Sequence, residues 1–266
     1  MSAETSPKIR IDALLTERGF YESRERAHAS VMAGYVSVNG QRELKPGTKV
    51  RPDAEITVED TSAKYVSRGA LKLEKALELW RPRTDGAVCM DIGASTGGFT
   101  EVLLRAGARK VYAIDVGYGQ LDWKLRNDER VVNMERTNFR YLEHDKIEEA
   151  IDIITADVSF ISLKHIFPGA AMHLADSGSL IALIKPQFEA ERGQVGKGGI
   201  IKDEGVRREA VEKVRGYAAD SGLRMREVTE SPIRGAKGNV EFLALLQPRK
   251  PDDTHDREAD KDRVHE

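Results

Sequence analysis

Five apolar runs of strand length follow one another between residues 87 and 188: "AVCMDIGA", "KVYAIDVG", "VVNMER", "IDIITADVSF" and "GSLIALIKPQF". Between them lie stretches such as "FTEVLLRAG" and "ISLKHIFPGAAMHLA", in which apolar residues recur at helical spacing. Strands that are apolar throughout must be buried on both faces, and their alternation with helices specifies an α/β, doubly wound, Rossmann-like parallel sheet. In such a sheet the strand ends share one rim, where ligands bind.

Other segments complete the organisation. Residues 8–60 read as a small α+β unit. Two helical segments, "IDALLTERGF" and "SRERAHASVMAGYV" with Ser23 as cap, precede an alternating run with an Asn39-Gly40 turn and a second alternating run, "AEITVED". Residues 61–64 read as a linker, and "YVSRGALKLEKALELW" as an amphipathic helix that packs Leu71, Leu77 and Trp80 on the sheet domain of residues 65–248. Glycine-rich "EAERGQVGKGGII" reads as a flexible substrate lid, because its glycines lack the spacing of a phosphate loop. The charged helix "KDEGVRREAVEKVR" is expected to pair Glu209 with Lys213. Two last runs, "LRMREVTESPIRG" and "NVEFLALLQP", are expected to close the sheet as an antiparallel pair across "AKG". The tail 249–266, almost without apolar residues, is expected to be disordered.

The turn after the first strand, "DIGASTGGFTEVLL", has the pattern D-x-G-x-x-x-G-G, which is not the dinucleotide fingerprint. Its glycines let backbone approach a ligand, and the acidic Asp91 suits a cationic amino-acid group better than a phosphate, which points to S-adenosylmethionine. Asp115, at the end of the second strand, stands where a carboxylate would take ribose hydroxyls. Four further polar residues are expected at the same rim: Lys72, Asp157, Lys185 and Glu241. A lysine after "SLIALI" is partly desolvated, a nearby carboxylate works against that, and a second cation reinforces it, so the balance can leave an amine poised as a base. Methyl transfer to a hydroxyl requires such a base; transfer to a ring nitrogen does not.

The segments "VSRGALKLEKAL", "DIGASTGGFTEVLL", "DVGYGQLDWKLRNDERV", "DVSFISL", "LIKPQFE" and "GNVEF" resemble the TlyA (haemolysin A) family of ribosomal RNA 2′-O-methyltransferases. The first 60 or so residues resemble the S4-type RNA-binding domain. The resemblance implies an FtsJ-like methyltransferase fold and a catalytic tetrad of Lys72, Asp157, Lys185 and Glu241. In it Lys185 takes the ribose 2′-hydroxyl proton, Asp157 and Lys72 orient and tune it, and Glu241 helps hold the ribose. It also implies cofactor contacts at Asp91, Gly93, Ser95, Gly97, Gly98, Phe99 and Asp115, and cytidine in ribosomal RNA of the large and, in some members, the small subunit as substrate. Mycobacterial-type members carry an Arg-x-Trp-Val linker element where this chain reads "SAKYV".

Charge places limits on these readings. With 42 basic against 44 acidic residues the net charge is -2, and residues 1–64 are balanced as well, so RNA binding must rest on local clustering. Arg10, Arg24, Arg26, Arg42 and Lys45 fall near helix starts or turns and form the expected phosphate-facing patch. One cysteine excludes an internal disulfide, the six histidines have no metal-ligand spacing, and the polar N-terminus has no signal-peptide core. A cytoplasmic protein without metal or membrane partner is therefore expected. An RNA-binding assembly factor without catalysis is the rival reading; membrane lysis and nicotinamide chemistry find no support in the pattern.

Overall fold

A computed structural model describes residues 7–58 and 65–250, apart from residues 22, 33 and 236. The expected linker 61–64 and the tail beyond 250 lie outside the described residues. Two compact units divide the chain, residues 1–64 and 65–266.

The first unit runs β1 (Ile9–Arg10), α1 (Ile11–Glu17), α2 (Arg24–Met32), β2 (Val36–Val38), β3 (Gln41–Glu43), β4 (Lys49–Val50) and β5 (Ile56–Val58). Strands β3, β2 and β5 form one small sheet, and β1 pairs with β4 in a second. The turn between β2 and β3 uses Asn39 at φ 48° and Gly40 at φ 77°, the left-handed pair a two-residue hairpin requires. Helices α1 and α2 pack Ile11, Leu14, Leu15, Ala27 and Val31 onto Val36 and Val50. Asp12 is buried at the start of α1: Arg10 donates to it through Nε at 3.0 Å and Nη2 at 2.7 Å, and Arg24 stands 3.4 Å away. The Arg10 hydrogen bonds, aided by Arg24, outweigh burial and hold the Asp12 carboxyl at about 2.

The second unit runs α3 (Ala70–Trp80), β6 (Val88–Ile92), α4 (Gly98–Arg105), β7 (Lys110–Ile114), α5 (Trp123–Arg126), β8 (Val131–Met134), β9 (Ile151–Ala156), α6 (Phe167–His173), β10 (Leu174–Ile184), α7 (Pro186–Glu189), α8 (Glu204–Asp220), β11 (Leu223–Glu230) and β12 (Phe242–Pro248). The seven strands lie in the order β11-β12-β10-β9-β6-β7-β8. From β10 to β8 all neighbours are parallel, whereas β12 is antiparallel to both β10 and β11. The expected doubly wound sheet with a closing antiparallel pair is what the chain forms.

Both faces of the sheet are covered. Val88, Met90 and Ile92 point into a core completed by Phe167, Val211 and Val214, while Cys89 points into one completed by Leu73, Leu103 and Leu104. Leu71, Leu77 and Trp80 pack on that second core, as expected. Among the described residues no helix is long and apolar enough to cross a membrane.

Several boundaries differ from the sequence reading. The helix expected from Tyr65 begins only at Ala70, because Tyr65–Ser67 folds as bends and Arg68–Gly69 as a turn, with the Val66 amide taken by Glu101. The helix expected from Ile161 is a 3-10 turn at Leu163–His165, followed by α6, whose first turn carries Pro168. The β11–β12 connection is the whole segment 231–241, since pairing stops at Glu230 and Phe242, rather than "AKG". Glu209 and Lys213 do not pair: Glu209 accepts from Gln194 and Lys213 lies 3.5 Å from Glu191, because both reach towards the preceding loop.

Asp12→Asn should loosen the first unit by roughly 1–3 kcal/mol at neutral pH, the cost of a buried charge-assisted network. Faster hydrogen exchange of the α1 amides is the measurement. The carboxylate stabilises above the ordinary aspartate value of 3.8, and that contribution is lost as pH falls through about 2. The gap between variant and wild type should therefore close over that window.

Candidate active site

Strands β6, β7, β9 and β10 are parallel, so the residues that follow them emerge at one rim; β12 is antiparallel, so the residue that precedes it emerges there too. Ile92 pairs with Ala156, and Ile184 with Phe242. Asp157, Lys185 and Glu241 each stand one residue outside their strand and converge. Lys72, in the first turn of α3, completes the group.

Lys72 Nζ donates to Glu241 Oε2 at 2.8 Å and to Asp157 Oδ2 at 3.4 Å. Lys185 Nζ stands 2.6 Å from Asp157 Oδ1, off the direction of a hydrogen bond, and donates to Ser159 Oγ at 2.9 Å. The side chains are nearly closed to solvent: Lys72 and Lys185 are 9% exposed, Asp157 20% and Glu241 3%. Burial pushes the Asp157 carboxyl up, but the two ammonium groups together outweigh burial and hold it below the usual carboxylate range. All four line one cavity of about 620 Å³, a volume suited to a nucleoside-sized ligand with room for a second group.

The glycine turn forms another wall. Gly93, Ser95, Gly98 and Phe99 line the cavity. Gly93 has φ +85°, and a Cβ there would lie 2.8 Å from the Asp157 carbonyl oxygen, so only glycine lets the turn pack against the strand end beside it. Gly97 caps α4 at φ 95° and packs on Leu125 and Leu121, away from the cavity lining.

Asp91 sits elsewhere than the sequence reading expects, whereas Asp115 directly follows β7 at the rim but outside the cavity lining. Asp91 is fully buried and off the cavity, because it shares Cys89's face of β6 and points at α4; its oxygens accept from Thr100 at 2.7 Å and Thr155 at 3.0 Å. Burial raises its carboxyl to about 6 against those two bonds. Asp115 also lies off the cavity lining, with Oδ2 accepting the Ser95 amide at 2.8 Å and Oδ1 the Gly117 amide at 2.7 Å. It shapes the turn through backbone while remaining half-buried.

The cavity also holds residues that the sequence reading passed over. Phe160 lines it with its ring 91% exposed, at φ 64°, a strained conformation for an aromatic residue, and 5.3 Å from the Phe188 ring. Gln187 Oε1 is buried there without a hydrogen-bond partner. Arg68, Arg234 and Lys237 join Lys72 and Lys185 in the lining, five cationic side chains against the two anionic ones of Asp157 and Glu241. "DVSF" and "KPQF" were visible as strand ends, but the direction of their other side chains depends on tertiary packing.

In the first unit, Arg10 and Arg24 converge on Asp12, so part of their charge is met inside the protein. Arg10 also lies against Gly47, beside the loop that carries exposed Lys45. Arg42 packs its aliphatic stem against Gly34, and Arg26 is exposed at the start of α2. Among the described residues no group of His, Cys, Asp and Glu is arranged to hold a metal ion.

Comparison with known proteins follows the same division. Residues 65–247 match the FtsJ-like methyltransferase family, and residues 9–56 match the S4 domain. The chain is 48% identical over 243 residues to YqxC of Bacillus subtilis, covering 91% of this chain and 86% of that one. It is 44% identical over 241 residues to the 16S/23S rRNA (cytidine-2'-O)-methyltransferase TlyA of Mycobacterium tuberculosis, covering 90% of each. A solved structure of a hemolysin-like protein from Streptococcus thermophilus superposes with a TM-score of 0.73 at 46% identity, covering 92% of this chain and 90% of that one.

Asp91→Asn keeps the shape of the side chain and removes a charge that is costly to bury. In the wild type the raised carboxyl favours the folded state below the ordinary aspartate value of 3.8, and that benefit is lost as pH rises through about 6. The variant should therefore gain stability relative to wild type between those values and hold a constant advantage above, as read by urea unfolding across the range.

Proposed function

This chain belongs to the FtsJ-like methyltransferase family, and from that premise we propose that it methylates the ribose 2′-hydroxyl of cytidine in ribosomal RNA with S-adenosylmethionine as donor. The observation that carries the reading is the Glu241–Lys72–Asp157–Lys185 chain of charges, set in the wall of the same cavity as the glycine turn. Methylation at a hydroxyl needs a group that accepts its proton, and this cavity holds an amine at its rim.

The residues fit the cofactor. Gly93 packs its backbone on the Asp157 carbonyl and Gly98 on Ser67, which sets the glycine turn into the cavity wall, and the buried Gln187 Oε1 offers an acceptor that the protein itself leaves unmet. When bound, S-adenosylmethionine supplies a methyl group on a sulfonium. Ser95, Gly98 and Phe99 would hold it along the turn; Asp115 would face its ribose from the edge of that turn, and Asp91 and Gly97 would act one layer behind, by fixing strand and helix.

Lys185 would accept the 2′-hydroxyl proton at Nζ, beside the methyl group that the cofactor would supply. Asp157 and Ser159 fix the position of Nζ, and Lys72 binds the other oxygen of Asp157, so the carboxylate cannot rotate away. Glu241 anchors Lys72 in turn and stands at the cavity wall where a ribose would rest. The five-to-two excess of cationic lining residues, in a chain of net charge -2, favours a polyanion at this mouth. The exposed Phe160 ring offers a face for a base lifted out of its stack.

The S4 domain would dock ribosomal RNA through Arg10, Arg24, Arg26, Arg42 and Lys45, with ribosomal subunits in the cytoplasm as partners. This reading differs from a non-catalytic assembly factor in requiring the cofactor. Calorimetry should detect S-adenosylmethionine binding by the wild type; its absence at millimolar cofactor would favour the assembly factor. Lys185→Ala should lower methyl transfer to ribosomal subunits by on the order of 10²–10⁴-fold while still binding cofactor. Lys185→Arg should not restore it, because a guanidinium stays protonated. Near-wild-type transfer by a folded Lys185→Ala would remove the base from this mechanism.

A further inference from the structure

The loop 195–201 contributes Val195 and Gly199 to the cavity wall, yet no element of regular structure holds it there. Within the loop the Gly199 amide donates to the Gly196 carbonyl at 3.0 Å, and the Gly196 amide to the Ile200 carbonyl at 3.2 Å. Gly198 and Gly199 have φ of +81° and +80°, so the turn is built on backbone that few other residues adopt. A tight turn of this kind keeps its own shape but does not fix where it sits.

One side chain holds it at both ends. Asn239 is 3% exposed, and its amide is used at both ends: Nδ2 donates to the Gly199 carbonyl at 2.8 Å, and Oδ1 accepts the Ile201 amide at 2.9 Å. Its own carbonyl accepts the Gly235 amide at 2.9 Å. Two residues later stands Glu241, whose carboxylate lies so close to Gly235 that a Cβ there would be 2.4 Å from Oε1. Asn239 thus joins the loop to the segment 231–241, which itself lines the cavity through Ile233, Gly235 and Glu241. On the far side, Arg207 donates to the Ile201 carbonyl through Nε at 3.2 Å and Nη2 at 3.0 Å.

We propose that Asn239 is a positioning residue that seats the loop 195–201 as the outer wall of the cavity, so that ligand retention depends on its two hydrogen bonds. The inference rests on the methyltransferase reading for the identity of the ligand, but not for the seating itself. A primary amide is the side chain that can donate to a carbonyl and accept from an amide with one rigid plane. Aspartate has the same shape but turns an oxygen towards the Gly199 carbonyl, so it keeps one bond and sets two acceptors against each other. Alanine keeps neither bond.

Asn239→Ala and Asn239→Asp test this in the full chain, with two readouts. Trypsin cleavage after the exposed Lys197, mapped by mass spectrometry, should rise on the order of tenfold in Asn239→Ala and at least as much in Asn239→Asp, as expected when buried hydrogen bonds are lost, at an unchanged thermal midpoint. In methylation assays KM for S-adenosylmethionine should rise by a similar factor, with kcat within about threefold of wild type, since the charged groups of the rim are untouched. Faster cleavage with unchanged KM would mean that the loop does not retain the ligand, and loss of kcat at unchanged KM would mean that Asn239 acts through Glu241; either overturns the proposal, as does unchanged cleavage. If Asn239→Ala does not fold, Asn239→Asp carries both readouts alone. The cleavage readout needs no catalysis, so its outcome stands apart from the fate of the methyltransferase reading.

Discussion

One carboxylate, that of Asp157, is shared between two ammonium groups, and the geometry of the rim follows from that sharing. An isolated charge so nearly closed to water would be expensive, and a pair is tolerated only when its remaining valences are met. Lys72 meets the second oxygen of Asp157 and passes its charge to Glu241; Lys185 meets the first and passes a hydrogen bond to Ser159. The four groups come from α3, the end of β9, the end of β10 and the start of β12. No one of them can be placed without the others, so the network ties the helix in front of the sheet to three of its strands. A site with this construction has its charges fixed before a ligand arrives, which is the condition for electrostatic help in the transition state.

How much of this was legible in the sequence depended on whether local pattern or tertiary packing decided the matter. The apolar runs fixed the five parallel strands and thereby the rim, and "DVSF" and "LIKPQF" located Asp157 and Lys185 at strand ends. Lys72 and Glu241 were nameable largely through family resemblance, since an antiparallel last strand is needed to bring residue 241 beside residue 185. Asp91 departs from its sequence pattern for a physical reason. In a strand buried on both faces no alternation of polar and apolar residues records which way a side chain points. Asp91 faces α4, where two threonine hydroxyls receive it, and not the cavity. The loops were least legible: Asn239 is an ordinary polar residue until the turn that it holds, 38 to 40 positions earlier, is folded against it.

The first unit illustrates why balanced composition does not settle what a surface can bind. Arg10 and Arg24 are drawn together by Asp12, a buried carboxylate that neutralises part of their charge while fixing where the guanidinium groups stand. Arg10, at 45% exposure, and Arg24, at 56%, keep solvent-facing donors. A long flexible cation on an open surface loses side-chain entropy when it meets a phosphate; a guanidinium already held by a carboxylate has lost much of it. Balanced charge in this unit is thus compatible with an ordered cationic face.

The same logic of prior placement extends across the rim, and it locates the part that can move. Gly93 leaves no space for a side chain between the glycine turn and the Asp157 carbonyl, so the turn and the aspartate are positioned by direct backbone contact. Glu189, buried in α7, accepts from Ser162 Oγ at 2.6 Å and the Leu163 amide at 2.9 Å, which ties the loop carrying Asp157 and Phe160 to the turn carrying Lys185. The glycine turn, the loop after β9 and the turn after β10 are therefore cross-braced by backbone, carboxylate or ion pair. Residues 195–201, by contrast, form a glycine turn held by side chains that reach it from outside, Asn239 on one flank and Arg207 on the other. Local opening takes place where the fewest interactions must be broken together. Of the elements around the cavity, the loop 195–201 is thus the one that can open while the charged rim keeps its geometry.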